Sequence, residues 1–112
     1  MELIIKPLTK MEFDALAARY GDYFKVTVDI ERQVLVAGCS LHADGEEILL
    51  KEGSKNDNIW GGGIRVETLK IDNTAVLNFR PRLNNDSMEI QDSKRKEKFL
   101  AVVNRLMFSI WK

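Results

Sequence analysis

The sequence predicts an α+β fold, in which a mainly antiparallel sheet of about five strands carries two or three helices on one face. Two observations lead to this prediction. Segments with alternating apolar and polar residues, typical of half-buried strands, are interspersed with segments of helical periodicity. Short polar connections between successive strand segments are typical of hairpins. With 112 residues the chain has the length of one domain, and we expect residues 1–112 to form it.

A first helix is predicted at residues 10–20. Thr9 and Glu12 have the spacing of a capping box, in which each side chain accepts a hydrogen bond from the other residue's backbone N–H. Apolar residues then follow at helical spacing, and Gly21 stands where a C-terminal glycine is expected. The short apolar run at residues 3–5, just before Pro7, is a candidate edge strand.

The next segments predict a hairpin and a second helix. Residues 24–30 alternate between apolar and polar, and residues 34–39 are more apolar, as expected of a more central strand. Residues 42–53 fit two structures. Asp44 can cap a helix that Gly53 ends, or it can begin a tight hairpin turn. We favour the helix, because both the N-terminal cap at Asp44 and the C-terminal glycine at Gly53 support it.

The C-terminal half mixes both patterns. In order, the sequence predicts a glycine-rich strand at 59–66, an irregular stretch at 67–73, a hairpin of strands 74–80 and 87–90, and a helix at about 93–111. Asp92 is the expected cap of that helix, and its wide apolar stripe indicates packing on the sheet.

Composition narrows the classes of function. Lys plus Arg and Asp plus Glu both total 17, and a net charge of zero argues against nucleic-acid binding. A single cysteine cannot form an intramolecular disulfide, which favours a reducing compartment. The sequence shows no signal peptide and no apolar run of the ~20 residues that cross a bilayer. We therefore expect a soluble cytoplasmic protein without membrane contact.

Several short motifs together resemble a known family. They are Leu41-His42-Ala43-Asp44, Leu49-Leu50, Gly53-Ser54, Trp60-Gly61, Asn78-Phe79-Arg80-Pro81 and Ser87-Met88-Glu89-Ile90. With them the chain resembles, over nearly its whole length, a group of small prokaryotic proteins classed as a domain of unknown function. It departs from that pattern at Gly62-Gly63-Ile64-Arg65 and at Leu83-Asn84. The resemblance implies no assigned activity.

The only cysteine and the only histidine lie three residues apart, at Cys39 and His42. On a continuous strand they would point to opposite faces, and too few ligands surround them for a zinc site, so we expect neither a Cys–His pair nor a metal or cofactor. His42 with Asp44 and Glu47 is the better catalytic candidate, because carboxylates can orient and charge an imidazole. The competing interpretation is a polar loop histidine beside a helix cap.

The predicted C-terminal hairpin carries the strongest candidate ligand site. Its polar residues are Asn78, Arg80, Arg82, Asn85, Ser87 and Glu89. Two guanidinium groups on one sheet face would fit a carboxylate or phosphate. Pairing of Glu89 with one arginine across the strands is an equally good explanation.

Trp60 precedes three consecutive glycines, which lack the spacing of phosphate-binding loops. Glycines inside a strand more often mark a bulge, or a place where a ring or a backbone approaches closely. We expect core packing at Trp60, with a ligand groove beside it as the alternative.

The last helix has more apolar positions than one buried stripe requires. We therefore expect a homodimer that uses the region near Leu106, Ile110 and Trp111.

Two functional hypotheses follow from these sequence features. The first is a non-catalytic binding module that presents its arginine-bearing sheet face to an anionic ligand or a protein. The second is a small hydrolase or transferase, which requires His42 and Arg80 or Arg82 to face one pocket.

Overall fold

The computed structural model describes residues 1–108 and confirms the α+β fold. Its strands are β1 (Glu2–Ile4), β2 (Tyr23–Asp29), β3 (Val34–Cys39), β4 (Ile59–Arg65) and β5 (Lys70–Asp72), and its α-helices are α1 (Lys10–Tyr20), α2 (His42–Lys51) and α3 (Ser93–Met107). Single turns of 3₁₀ helix occupy Asn56–Asn58, Val76–Asn78 and Pro81–Leu83. No helix within residues 1–108 is long and apolar enough to cross a membrane.

The five strands form one sheet in the order β1-β3-β2-β4-β5, and every neighbouring pair is antiparallel. β2 and β3 are consecutive and adjacent, as the predicted hairpin requires. Central β2 places Thr27 opposite both Val36 of β3 and Gly61 of β4. Because side chains alternate along a strand, Thr27 and its neighbours on the same face point away from the main core.

The main core lies between the sheet and the helices α1 and α3. Phe13 on α1 packs against Phe24 and Phe108, with ring centroids 6.3 and 5.5 Å away. The apolar stripe of α3, including Phe99 and Leu106, is fully buried in the same cluster. Side-chain caps stabilise the N-termini of both helices. The predicted capping box of α1 is present, and the Asp92 carboxylate accepts the Arg95 N–H at the start of α3.

Helix α2 covers the opposite face of the sheet, so only two of the three helices share one face. A smaller apolar cluster of Val36, Leu49 and Ile59 lies beneath α2. Gly45 permits the close approach, since a Cβ there would lie 2.6 Å from the Thr27 hydroxyl oxygen. The expected packing of two or three helices on one face is met by α1 and α3, and α2 lies on the other face because β3 is apolar on both faces.

The preferred helical structure of residues 42–53 is confirmed, but the helix begins earlier than predicted. It starts at His42, so Asp44 lies inside the first turn, where its carboxylate accepts the Leu41 N–H at 3.3 Å. The predicted C-terminal stop is confirmed: the helix ends at Lys51, and Gly53 adopts a φ of 99° that disfavours other residues.

The predicted hairpin of strands 74–80 and 87–90 is wrong. The segment contains only isolated bridges, one from Thr74 to Glu89 and one from Arg80 to Asn85, while the stretch predicted to be irregular contains β5. Buried asparagine side chains replace the missing strand partners, as described below. The predicted α3 also ends earlier, at Met107, and residues 109–111 of that prediction lie outside the described part of the chain.

Candidate functional site: the groove beside His42

A groove with a volume of about 640 Å³ opens on the sheet face that α2 only partly covers. It runs between the first turn of α2 and residues 74–77, and we call it the His42 groove. Three of its apolar wall residues, Leu41, Val76 and Met88, are 62%, 77% and 49% exposed. Apolar walls around a concave volume are typical of small-molecule sites.

The glycines of β4 create the space in which two rings lie close to the sheet. A Cβ at Gly61 would lie 2.7 Å from Cδ2 of His42, and a Cβ at Gly63 would overlap the Tyr23 hydroxyl. This agrees with the interpretation that glycines within this strand mark the close approach of a ring. The ring of Trp60 lies on the other face, fully buried in the main core.

His42 is held in a single orientation by the backbone. Its Nε2 atom lies 2.7 Å from the Gly62 carbonyl oxygen, and because a carbonyl only accepts, Nε2 carries the proton. In addition, the Thr27 hydroxyl donates to the His42 carbonyl at 3.3 Å, which anchors the start of α2 to the sheet. In the neutral ring Nδ1 is therefore an acceptor, and no hydrogen bond to it occurs within residues 1–108.

The surroundings of His42 favour the neutral imidazole. Burial lowers its pKa below the ordinary value of 6.5, and the positive charge of Lys25 lowers it further. The hydrogen bond to Gly62 and the charge of Asp72 act in the opposite direction but are outweighed. At neutral pH His42 is therefore an uncharged residue of the groove lining.

The other polar groups of the groove have distinct roles. The Tyr23 hydroxyl donates to the Asp72 carboxylate at 2.8 Å, and burial, followed by this bond, raises the pKa of Tyr23 to about 12. Tyr23 is thus an uncharged group already engaged within the fold. Among the residues that line the groove within the described chain, Lys25 is the charged one at neutral pH. The site therefore combines apolar walls, one cation and one free acceptor.

Cys39 and His42 do not form a nucleophilic pair. The Cys39 sulfur is buried, 3.6 Å from the Thr27 hydroxyl oxygen, while the His42 ring binds Gly62. In the part of the chain that the structure describes, no group of three or more His, Cys, Asp or Glu residues is placed to hold a metal.

The carboxylates of the enzyme hypothesis are also engaged elsewhere. Asp44 accepts the Leu41 N–H, and Glu47 pairs with Lys51 at 3.2 Å on the exposed face of α2. No contact of either carboxylate with the imidazole of His42 is found between residues 1 and 108. Their assignment to catalysis stays a prediction that the geometry does not favour.

Arg80 is a buried structural group. Its guanidinium donates to the Ile59 carbonyl at 2.7 Å, to the Asn56 carbonyl at 3.1 Å and to Glu46 at 3.2 Å. It also lies 5.0 Å from the centre of the Trp60 ring, and burial lowers its pKa. With its donors directed into the protein and no part in the groove lining, Arg80 does not share a cleft with His42.

Two asparagines predicted to bind a ligand instead hold residues 73–91 to the sheet. Asn78 pairs with both backbone groups of Gly61, accepting the N–H at 2.8 Å and donating to the carbonyl at 2.9 Å. Its amide nitrogen also reaches the carbonyls of Asn73 and Met88. Asn85 likewise reaches three carbonyls, including that of Asn78 at 2.7 Å. Both side chains are fully buried, which leaves no surface for a ligand.

The remaining members of the predicted anion site are dispersed. Arg82 is exposed and pairs with Asp57 at 2.8 Å, and this bond lowers the pKa of Asp57. The Ser87 hydroxyl accepts the Glu89 N–H at 3.1 Å. No ion pair joins Glu89 to an arginine within the described residues, so the proposed cross-strand pairing is absent there as well.

Comparison with known proteins gives a family but no activity. A family model described as Protein of unknown function (DUF5674) matches residues 2–106. The chain belongs to that family. The DUF5674 match confirms the resemblance seen in the sequence motifs. Neither a curated protein nor a solved structure matches the chain.

Several groove residues of this DUF5674 chain were not recognised in the sequence. Tyr23 and Lys25 lie on the polar face of β2, and nothing in the alternation distinguishes them from solvated residues. Val76 was assigned to a strand, whereas it lies on a 3₁₀ turn and points into solvent. The available signal was the run of glycines, which indicated a close approach without saying which rings were involved.

Proposed function

We propose that this DUF5674 protein is a non-catalytic binding module whose ligand site is the His42 groove. One observation carries the proposal: exposed apolar side chains, Lys25 and the neutral His42 surround a single volume of about 640 Å³. Ligand sites are typically concave and mostly apolar, with a small number of placed polar groups. The His42 groove has this composition.

The lining indicates the chemistry of the ligand. An apolar body would contact Leu41, Val76 and Met88, whose burial contributes about 25 cal/mol per Å². A carboxylate or another anion would lie near Lys25, the charged group of the lining. A hydroxyl or amide of the ligand could donate to Nδ1 of His42. The proposal thus keeps the anionic ligand expected from the sequence, but it assigns the anion to Lys25 instead of Arg80 and Arg82.

Catalysis receives less support than binding. The enzyme hypothesis requires His42 and an arginine at one substrate. In the described chain Arg80 donates to backbone carbonyls and to Glu46, and Arg82 pairs with Asp57. Burial of Arg80 against Trp60 stabilises the protein and does not expose a cation to a substrate.

The proposal retains the cytoplasmic location expected from the sequence. Support comes from Cys39, a buried free thiol that packs as a small apolar residue. Such a residue suits a reducing compartment, in which no disulfide has to form. Fractionation of cells that express a tagged chain tests the location.

Fluorescence titration with anilinonaphthalene sulfonate, which joins an apolar ring system to an anion, tests the site. We expect saturable binding to the folded protein. Ala43→Trp should abolish the binding, because Ala43 is an exposed residue of α2 that lines the groove, and a large ring there would fill it. The matched control is Ala18→Trp on the exposed side of α1, outside the groove. Equal binding by the two variants would refute the proposed site.

A second variant tests the cation separately from the apolar walls. Lys25→Met keeps most of the length of the side chain and removes the charge. We expect it to weaken binding of the dye by roughly fivefold at low salt, the scale of a partly exposed ion pair. Added salt should weaken binding to the wild type more than to the variant. Unchanged affinity and unchanged salt dependence would show that Lys25 does not contact the anion.

A further inference from the structure

The backbone groups at the two edges of the sheet differ in their hydrogen-bond partners. At the β5 edge, Asn78 occupies both backbone groups of Gly61, and Arg80 binds the Ile59 carbonyl, so side chains cover the part of β4 that β5 leaves unpaired. At the other edge, β1 pairs with β3 and with no other strand of residues 1–108. In the described chain no hydrogen bond reaches the outer backbone groups of residues 2–6. The β1 edge is therefore open to another strand.

The side chains of this edge are suited to contact. Leu3 and Ile5 alternate onto the same face of the sheet and are 38% and 59% exposed. On the other face, a groove of about 340 Å³ lies between β1 and α1, with Leu8, Ala15 and Leu16 among the residues that line it. Space and apolar surface are thus available on both sides of an added strand.

We propose that the β1 edge is a self-association surface, at which a second copy adds its β1 in antiparallel orientation about a two-fold axis at Ile4. In this register Glu2 faces Lys6 of the partner subunit, and Leu3 faces Ile5 of the partner subunit. Ile5 and Lys6 follow the end of β1 at Ile4, so the pairing extends the strand by these two residues. The two-fold axis repeats both contacts, giving two opposite-charge pairs and two apolar pairs. The two sheets become one continuous sheet, and each copy covers the other's open edge.

Charge complementarity favours one register of the paired strands, and it favours a second copy of the chain as the binding partner. A shift of the pairing by two residues in either direction places a charged residue, Glu2 or Lys6, opposite the apolar Ile4 of the second copy. A shift by four residues places Glu2 opposite Glu2 in one direction and Lys6 opposite Lys6 in the other. Only the register centred on Ile4 matches opposite charges, and the chain itself supplies that matching sequence. A second copy is therefore favoured over an unrelated strand.

The interface differs from the one expected on the C-terminal helix. Leu106 is fully buried in the core of its own chain and is not available to a partner. Ile110 and Trp111 lie outside the described residues. The β1 edge provides a surface for the homodimer that does not require Leu106 to leave the core.

Sedimentation velocity over a range of concentrations tests the proposal. The wild type should dimerise reversibly. Glu2→Lys and Lys6→Glu should each raise the dimer dissociation constant more than about tenfold, because each places like charges opposite each other twice. The double variant E2K/K6E should restore the dimer, since it exchanges the two charges. Lys6→Glu is the cleaner single variant, because Glu2 also binds Arg19 of its own chain at 3.3 Å.

Charge reversals elsewhere on the surface serve as matched controls for the dimer proposal. Glu97→Lys and Lys96→Glu make the same charge changes on the exposed side of α3 and should leave the dimer intact. Circular dichroism confirms that each variant is folded. A wild type that stays monomeric at every concentration would overturn the proposal. So would a dimer that tolerates both single reversals, or one that Trp111→Ala abolishes.

Discussion

The sheet face beneath α1 and α3 and the sheet face beneath α2 are built by different means. The first carries Val26, Val28 and other large apolar side chains, all sealed from solvent by two helices. The second carries Thr27, Asp29 and two glycines, and a single helix covers part of it. Residues 73–91, which contain single 3₁₀ turns but no α-helix or strand, cover more of the second face. The His42 groove lies where this cover ends.

The comparison shows how the fold can provide both stability and a site. A face packed with apolar side chains stabilises the protein but leaves no room for a ligand. The second face depends on hydrogen bonds from buried asparagines and an arginine, and small residues there leave an opening. We expect substitutions on the two faces to differ accordingly in stability and in binding.

The largest effect is expected from truncation of the main core. Leu106→Ala removes a fully buried side chain and should lower the free energy of unfolding by about 4 kcal/mol. The same change at Leu77, which is half-buried beside the groove, should cost only about 1 kcal/mol. Urea denaturation measures both. Equal losses would show that the two faces are packed alike.

The asparagine contacts give the next largest effect. Asn78→Ala leaves the Gly61 N–H and several carbonyls without partners in a buried place, so the free energy of unfolding should fall by about 3 kcal/mol. Asn104→Ala is the control. Its amide bonds the Leu100 carbonyl one turn earlier in α3, and its loss should cost less than about 1 kcal/mol. A small effect at Asn78 would mean that residues 73–91 are held in another way.

The two arginines of the predicted anion site should behave differently. Arg80→Met removes the donor of the Ile59 carbonyl and leaves Glu46 with the Asn56 amide alone, and it should cost about 2 kcal/mol. Arg82→Met breaks an exposed pair, in which the side chains are 60% and 56% accessible, and should leave stability almost unchanged. Thermal unfolding of both variants measures the difference. Similar values would contradict the structural role of Arg80.

The smallest effect concerns pH. Because the pKa of His42 is lowered in the folded protein, the unfolded chain binds a proton more readily as the pH falls below the ordinary value of 6.5. The wild type should therefore lose stability on acidification relative to His42→Gln, which keeps a donor for Gly62 and does not titrate. Urea midpoints of both proteins, measured from about pH 7.5 to about pH 5.5, test this. A constant difference would mean that His42 titrates normally.

Local signals explain what the sequence could predict. The capping box at Thr9 and Glu12 and the cap at Asp92 act within one helical turn, so α1 and the start of α3 follow from the sequence. The clean alternation along β2 likewise identified a strand. The position of α2 could not be derived, because it depends on the contact of Gly45 with Thr27 on a distant strand.

Long-range hydrogen bonds explain what the sequence could not predict. Ala75, Leu77 and Phe79 alternate like a strand, yet Phe79 is 53% exposed and the segment is irregular. Its conformation is set by Asn78, which binds a backbone 17 residues away. A sequence shows that an asparagine is present but not which distant backbone it binds. The His42 groove, which this segment borders, was missed for the same reason.

The central claim is that the His42 groove is a ligand site, and NMR mapping tests it most directly. Anilinonaphthalene sulfonate is added to the isotope-labelled protein, and the backbone amide shifts are followed. We predict saturable shifts centred on His42, Ala75 and Val76, with little change along β1 or α3. Shifts centred instead on Arg80 and Arg82, or no saturable shifts, would contradict the account.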